Sequence, residues 1–333
     1  MITQSDIGEG DRLGAQMGSL ASLFWLSKET GHEVVFHREV RHASNGLMFL
    51  DAFDLPIRIL PHNRFGCLSR ILFAISRPIM QRFWTNLKSP IYRILRLAAL
   101  ATTRIAYRLL RFQNRSSFVV PKIPWCPRLN CDPILVSLLK AKRSNNFDIP
   151  NGRLGSYQDW KNCENEIVSL FKFKKSIVSS AKEQFAHFYA DSPLASLGEG
   201  RETVAVHFRL TDYLLVSSLN LTIKYYQEAL SHFPSEKFNF LVFSDDIERC
   251  KRMPLFEGRT VIFVDDCSAA MGMCLMSLCD HAIIANSSYS FWGAMLNCNP
   301  CKRVICPREF AGTGFPANGL WYPEAWTSVP ILP

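Results

Sequence analysis

From residue 55 to residue 131 the chain has no aspartate or glutamate, although that interval holds fourteen lysines and arginines. The net charge of +9 is therefore uneven: outside the interval the balance is −5, the difference between +9 and +14. Such one-sidedness argues against an evenly solvated surface and suggests an anionic partner, whether a membrane surface, a nucleic acid or a phosphorylated substrate. A long apolar run is also missing. A membrane-spanning helix needs about 18 to 20 uninterrupted apolar residues, and the nearest approach, IYRILRLAALATTRIAYRLL, is cut by four arginines. The opening MITQSDIGEGDRLGAQ lacks the basic start and apolar core of a signal peptide. The expectation is a cytoplasmic protein, soluble or peripheral on the inner face of a membrane, in a reducing compartment. The eleven cysteines are odd in number and scattered, which does not suit a disulfide framework. CNPC at 298–301 is a lone C-x-x-C, and a zinc site would need two more ligands, with Cys306 and His281 the nearest. The reading is ordinary thiols and no metal. No G-x-G-x-x-G follows a strand and no G-x-x-x-x-G-K-[ST] occurs, so neither a dinucleotide fingerprint nor a P-loop is supported.

What is present is regular alternation in the second half. Short β-rich runs at 204–208, 240–243, 261–264, 282–285 and 303–306 alternate with helical periods at 222–232, 245–252, 268–279 and 288–297. That pattern predicts βαβ units and a parallel sheet. In the first half, QMGSLASLFWLSKETG predicts a helix ending at Gly31, and HEVVF a strand. The stretch DSPLASLGEGRE, 191–202, reads as a linker. The expected division is a domain over 1–195, containing the basic segment 65–115, and a second over 196–333.

Polar residues fall just after the predicted strands: His207 and Arg209, then Asp212; Ser244, Asp245 and Asp246; Asp265; and Asn286, Ser287 and Ser288, with Ser290 one turn on. In a doubly wound fold these strand ends form the ligand edge. Arginine gives bidentate phosphate binding, and a helix start at Asn286–Ser288 offers free N–H groups to an anion. Plainer readings compete. Asn286 or Ser287 could merely cap the helix. Arg209 could pair with Asp212 or Asp246. The acids of FSDD could sit at a solvated helix start, where acids are favoured. His207 by itself is more often a buried core histidine than a catalytic one.

Six segments in order resemble the α-1,2-fucosyltransferases of glycosyltransferase family 11: RLGAQM, LGSYQDWKNCENEI, VAVHFRLTDY, LTIKYYQEAL with FLVFSDDIERCK, CLMSLCDHAIIANSSYSFWGAMLN, and WYPEAWTSV. The resemblance implies a GT-B-like α/β fold of two Rossmann-like domains facing across a cleft, and an inverting, metal-independent transfer of L-fucose from GDP-fucose to a galactose-containing glycan. It places Gly14 and Gln16 in an N-terminal loop motif, and Arg209 with the Asn286–Ser288 turn at the diphosphate. Arg209, His207 and Asp212 are the catalytic candidates, with Asp11 a further possible base. The remaining strand-end acids and serines are donor-binding candidates. The sequence departs from the family pattern at Leu210, where a second arginine is usual, and at Thr211, Ala15, Met271, Gly272 and Phe291. These departures keep a rival reading open, a non-catalytic or differently specific GDP-sugar-binding relative. A nucleic-acid partner is disfavoured because no nucleic-acid module is recognisable.

The basic stretch carries its own expectation. On a helix from Pro90 onward, Arg93, Arg96, Arg104, Arg108, Arg111 and Arg115 fall in one arc of about 120° at 100° per residue. Apolar residues cover the rest of that helix. A purely basic stripe on such a helix fits an anionic bilayer surface, so residues 65–115 are expected to hold the protein there. The competing expectation is a core helix whose arginines meet acids elsewhere in the chain.

Overall fold

The structure is a computed structural model, and it describes residues 1–4, 7–8, 11–37, 48–61, 117–119, 133–149, 156–190, 200–211, 220–309 and 321–331. The basic helix expected within 65–115, most of the expected linker and Asp212 lie outside the described residues.

Contacts divide the chain into two compact units. One comprises Met1–Leu50 with Leu55–Leu170, the other Asp51–Asp54 with Phe171–Pro333. The chain is of the α/β class, with parallel sheets in both units.

The described elements of the first unit begin with β1 (Ile2–Thr3), α1 (Leu13–Thr30) and β2 (Val35–His37). Next come α2 (Met48–Ala52), whose last two residues are counted with the other unit, β3 (Arg58–Leu60), β4 (Ser117–Val119), α3 (Pro133–Ala141) and β5 (Asn146–Asp148). The short helices α4 (Tyr157–Trp160) and α5 (Glu164–Val168) complete it. β1, β5 and β4 pair in parallel, as do β2 and β3, and a parallel bridge from Ile2 to Val34 joins the two sets. α1 is buried on most sides, as its apolar composition requires. Ser22 donates to the Asp159 carboxylate at 3.0 Å, fastening α1 to α4. The helix stops at Gly31, where φ is +75° and the backbone N–H closes on Ser27 O. A glycine takes that left-handed cap without the Cβ clash other residues meet.

The second unit holds α6 (Lys175–Ala190), β6 (Glu202–Phe208), α7 (Ile223–Ser231), β7 (Phe238–Ser244), α8 (Ile247–Lys251), β8 (Val261–Val264), α9 (Ala269–Leu278), β9 (His281–Ile283), α10 (Ser288–Met295), β10 (Val304–Pro307) and β11 (Thr327–Val329). The strands form one six-stranded sheet in the order β11-β10-β9-β6-β7-β8, parallel throughout. The apolar runs become strands because both faces of the sheet are covered. Val204, Val206, Phe208, Phe240 and Val242 pack with Tyr225, Tyr226 and Phe233 on the α7 side. Each such side chain, fully buried, contributes roughly 1.5–3 kcal/mol. Asp280 accepts from Thr203 N at 2.7 Å and from its hydroxyl at 2.8 Å, pinning the starts of β6 and β9 together. From β6 the chain steps outward through β7 to β8, then returns to place β9 on the other side of β6. The switch in winding thus lies between β6 and β9.

Candidate functional site

The carboxyl ends of β6, β7, β8 and β9 bring the strand-end polar residues to one edge of this sheet. Side chains alternate along β6. Val204, Val206, Phe208 and Leu210 belong to the core on the α7 side. His207 faces the other way, with its ring 5.4 Å from that of Tyr289 in α10. Arg209, two residues on, follows the same alternation. This explains what Leu210 does in place of a second arginine. It is 6% exposed, packed into the core, and lines a cavity of about 270 Å³ with Phe208, Tyr226, Met253 and Leu255.

Arg209 Nη1 is 3.2 Å from Asp245 Oδ2, both side chains nearly enclosed. Asp245 also accepts from Leu210 N at 2.7 Å, Thr211 N at 3.3 Å and the Thr211 hydroxyl. Burial pushes the Asp245 carboxyl up, but the Leu210 and Thr211 donors and the Arg209 guanidinium outweigh it and hold it below the usual carboxylate range. Asp245 thus fixes the three residues that follow β6. The arginine's pairing is with the first acid of FSDD, a partner the sequence reading did not single out.

Asp246 caps α8, accepting from Arg249 N at 3.1 Å, and its own N–H donates to Ser244 Oγ at 3.0 Å. Asp265 is exposed, 3.5 Å from Lys251. Ser287 caps α10 through a bond from Tyr289 N at 3.3 Å. Ser290 Oγ ties the turn from inside, accepting from Ala285 N at 3.2 Å and donating to Ser287 O at 3.3 Å. Ser288 is exposed at the helix start. Asn286 is 0% exposed, and among the described residues neither its side-chain oxygen nor its nitrogen has a hydrogen-bond partner.

His207 is buried, and its Nδ1 has no hydrogen-bond partner among the described residues. Burial, reinforced by the Arg209 charge and only partly opposed by Asp245, lowers its pKa to about 3. The imidazole is therefore neutral at ordinary pH and a poor proton acceptor. Tyr226 donates to His207 O at 3.1 Å and Tyr225 to Ile284 O at 2.7 Å, so α7 satisfies a carbonyl near the end of each switch-point strand.

One pair of residues was not read from the sequence. The Tyr289 hydroxyl donates to Ala269 O at 2.7 Å in the first turn of α9. A Cβ on Gly272 would stand 2.7 Å from that hydroxyl and 3.2 Å from Cys267 Sγ. Gly272 and Tyr289 thus fit one another, and together they join the starts of α9 and α10. Only the tyrosine hydroxyl in NSSYS hints at it.

In the first unit, Gly14 and Gln16 are buried in α1, and Gln16 Nε2 donates to Asp11 O at 3.0 Å, bracing the loop that precedes the helix. His281 has both ring nitrogens engaged, one with Glu202 at 3.1 Å and one accepting from Arg303 N at 3.0 Å. Cys298 and Cys301 are exposed free thiols before β10, Cys306 is buried, and among the described residues no group of three His, Cys, Asp or Glu side chains is placed to hold a metal ion.

A parallel α/β sheet with an arginine and a helix start beside its switch point defines a Rossmann-like protein. Residues 156–325, just over half of the chain, match the family model described as Glycosyl transferase family 11. The chain belongs to that family. Two curated relatives come from Escherichia coli. The O-antigen biosynthesis glycosyltransferase WbnK is 30% identical over 158 residues, 44% of this chain and 50% of that protein. An alpha-1,2-colitosyltransferase is 39% identical over 116 residues, 32% of this chain and 40% of that protein. The matches thus span about half or less of the relatives' length. Among solved structures, the fucosyltransferase NodZ from Bradyrhizobium aligns with a TM-score of 0.44 at 13% identity, covering 88% of this chain and 91% of that one.

Proposed function

We propose that this protein is an inverting glycosyltransferase that moves L-fucose, or a closely related deoxy sugar, from a GDP-sugar to a galactoside hydroxyl of a glycan in α-1,2 linkage. The observation that carries the reading is the edge at the β6–β9 switch point, where Arg209 and the start of α10 approach the same place from neighbouring strands. In this reading the guanidinium and the α10 N–H groups take the charge that develops on the leaving diphosphate. Preorganised donors of that kind commonly supply about 3–4 kcal/mol each, so no divalent cation is required. Asp245 holds Arg209 in place, and the neutral His207 shapes the edge without taking the acceptor proton. In this reading the second unit carries the donor and the first the acceptor.

The related protein named as a colitosyltransferase makes a different deoxy sugar the second donor to test. Leu210 supports that second reading, a differently specific or non-catalytic relative, because a second guanidinium is missing and the side chain is committed to the core. The deciding experiment incubates the purified protein with GDP-fucose or GDP-colitose and a panel of galactosides, with product linkage read by NMR. Transfer of fucose to a 2-hydroxyl supports the first reading, and transfer of colitose alone the second. GDP binding with no turnover indicates a binding protein. Attachment of residues 65–115 to an anionic bilayer remains a proposal from sequence, tested by co-sedimentation with neutral and anionic vesicles at low and high salt. No helix among the described residues is long and apolar enough to cross a membrane.

A further inference from the structure

The cavity of about 270 Å³ beside Leu210 lies in the second unit, where the end of β6 meets the start of α7 and the region of α8. Phe208, Leu210 and Tyr226 line it, each 6% exposed or less, together with Leu221, Met253 and Leu255. The Phe208 and Tyr226 rings stack with centroids 4.0 Å apart. The Tyr226 hydroxyl is engaged by His207 O, so its polar atom already has a partner. An arginine at position 210 would carry a charge into this wall, and the leucine keeps it apolar. Because side chains alternate along β6, the cavity is on the α7 side of the sheet, opposite to His207.

Two residues at the rim give the space a direction. Ile223 opens α7 and lines the cavity, and at 44% it is the exposed large apolar side chain of the described residues. It carries the apolar wall out to solvent, and an apolar surface continuous with a cavity marks a binding site more than a scattered exposed residue does. Arg249 in α8 lines the same cavity and is exposed. Its guanidinium has no ion-pair partner among the described residues, and no aspartate or glutamate lines the space. The cavity therefore has apolar walls and a single positive charge.

That combination fits a molecule with an apolar chain and an anionic end. An empty apolar cavity of about 150 Å³ already takes up a small hydrocarbon, and at about 30 Å³ per heavy atom this one has room for on the order of nine. We propose that this cavity binds an amphipathic anion, with roughly eight carbon atoms of its chain among Leu210, Tyr226 and Met253 and its charged head at Arg249. The site is separate from the edge assigned to the diphosphate and does not rest on the proposed function.

The test uses the full chain and titration calorimetry with butyl, hexyl and octyl phosphate, 1-octanol and inorganic phosphate, each below any micelle-forming concentration. Octyl phosphate is expected to bind best, with affinity rising about threefold to fourfold per methylene along the series. 1-Octanol binds more weakly, and inorganic phosphate does not bind measurably once GDP occupies the other edge. Arg249→Ala weakens octyl phosphate by about threefold to tenfold and leaves 1-octanol nearly unchanged. Ile223→Glu weakens octyl phosphate by about tenfold, since it removes apolar surface and repels the head. Both positions are exposed, and an acid is favoured in the first turn of a helix, so the variants keep the wild-type urea midpoint. Octyl phosphate binds equally well with and without saturating GDP. Equal affinity along the chain series overturns the proposal, as does displacement by GDP, which would assign the ligand to the Arg209 edge. Unchanged affinity in both folded variants, or a wild type that binds none of the alkyl compounds, overturns it as well.

Discussion

Arg209 Nη1 lies 3.2 Å from Asp245 Oδ2, and the same carboxylate accepts the Leu210 and Thr211 backbone N–H groups. The ion pair therefore sits inside a clasp that joins the end of β6 to the end of β7. A guanidinium held on one side by a fixed carboxylate keeps its remaining donors in a set orientation. An arginine on a free strand end would first have to be ordered.

This relationship gives graded expectations. Arg209→Ala weakens GDP binding by about tenfold to a hundredfold, the range for losing hydrogen bonds to a charged group. Arg209→Lys recovers little, since a point charge does not reproduce the planar fork. Asp245→Asn weakens GDP binding less than Arg209→Ala and also lowers the urea midpoint, because it replaces an acceptor by a donor facing Thr211 and Arg209. Titration calorimetry with GDP, alongside urea unfolding, measures both. Near-normal GDP affinity in Arg209→Ala would remove the phosphate assignment.

Gly272 and Tyr289 make a second pair. Gly272→Ala places a methyl 2.7 Å from the Tyr289 hydroxyl and should cost about 1–3 kcal/mol, the usual scale for overpacking. Tyr289→Phe alone loses the bond to Ala269 O and costs about 0.5–1.5 kcal/mol. In the Tyr289→Phe background the same Gly272→Ala change should cost markedly less, with the helix propensity of alanine offsetting part of it by about 1 kcal/mol. A double-mutant cycle by urea unfolding reads the coupling, and strictly additive effects would show that the two residues do not share this space.

His207 makes stability depend on pH. Its folded pKa of about 3 lies below the ordinary histidine value of 6.5, so between those values the unfolded chain binds the proton and the native one does not. The contribution is fully present above pH 6.5 and is lost as pH falls toward 3. The slope is about 1.4 kcal/mol per pH unit where the difference is one proton. Wild type should lose more stability between pH 7 and pH 5 than His207→Gln. Equal losses in urea melts at the two pH values would show that the imidazole is protonated in the native state.

The diphosphate reading also predicts insensitivity to chelation. GDP affinity and any sugar transfer should be the same in EDTA as in millimolar magnesium, because Arg209 and the start of α10 supply the charge. A loss of GDP binding on chelation, restored by adding magnesium, would require a metal at this edge.

The sequence by itself determined the architecture of the second unit. The runs at 204–208, 240–243 and 261–264 are strands, and each is followed by the expected helix, because a sheet covered on both faces demands short continuous apolar runs and the period changes visibly between them. The same regularity puts His207, Arg209, Ser244, Asp245 and Asn286 at strand ends. β11 was not legible, since Thr327–Val329 is too short to show a period and is a strand only because β10 lies beside it. Which polar groups meet was decided by tertiary structure alone. Strand order, which places β9 and β7 on either side of β6, is a long-range property that local pattern does not encode. It joined Arg209 to Asp245, turned Leu210 into the core, left Asn286 buried without a hydrogen-bond partner among the described residues, and let the missing side chain of Gly272 make room for a hydroxyl seventeen residues further along.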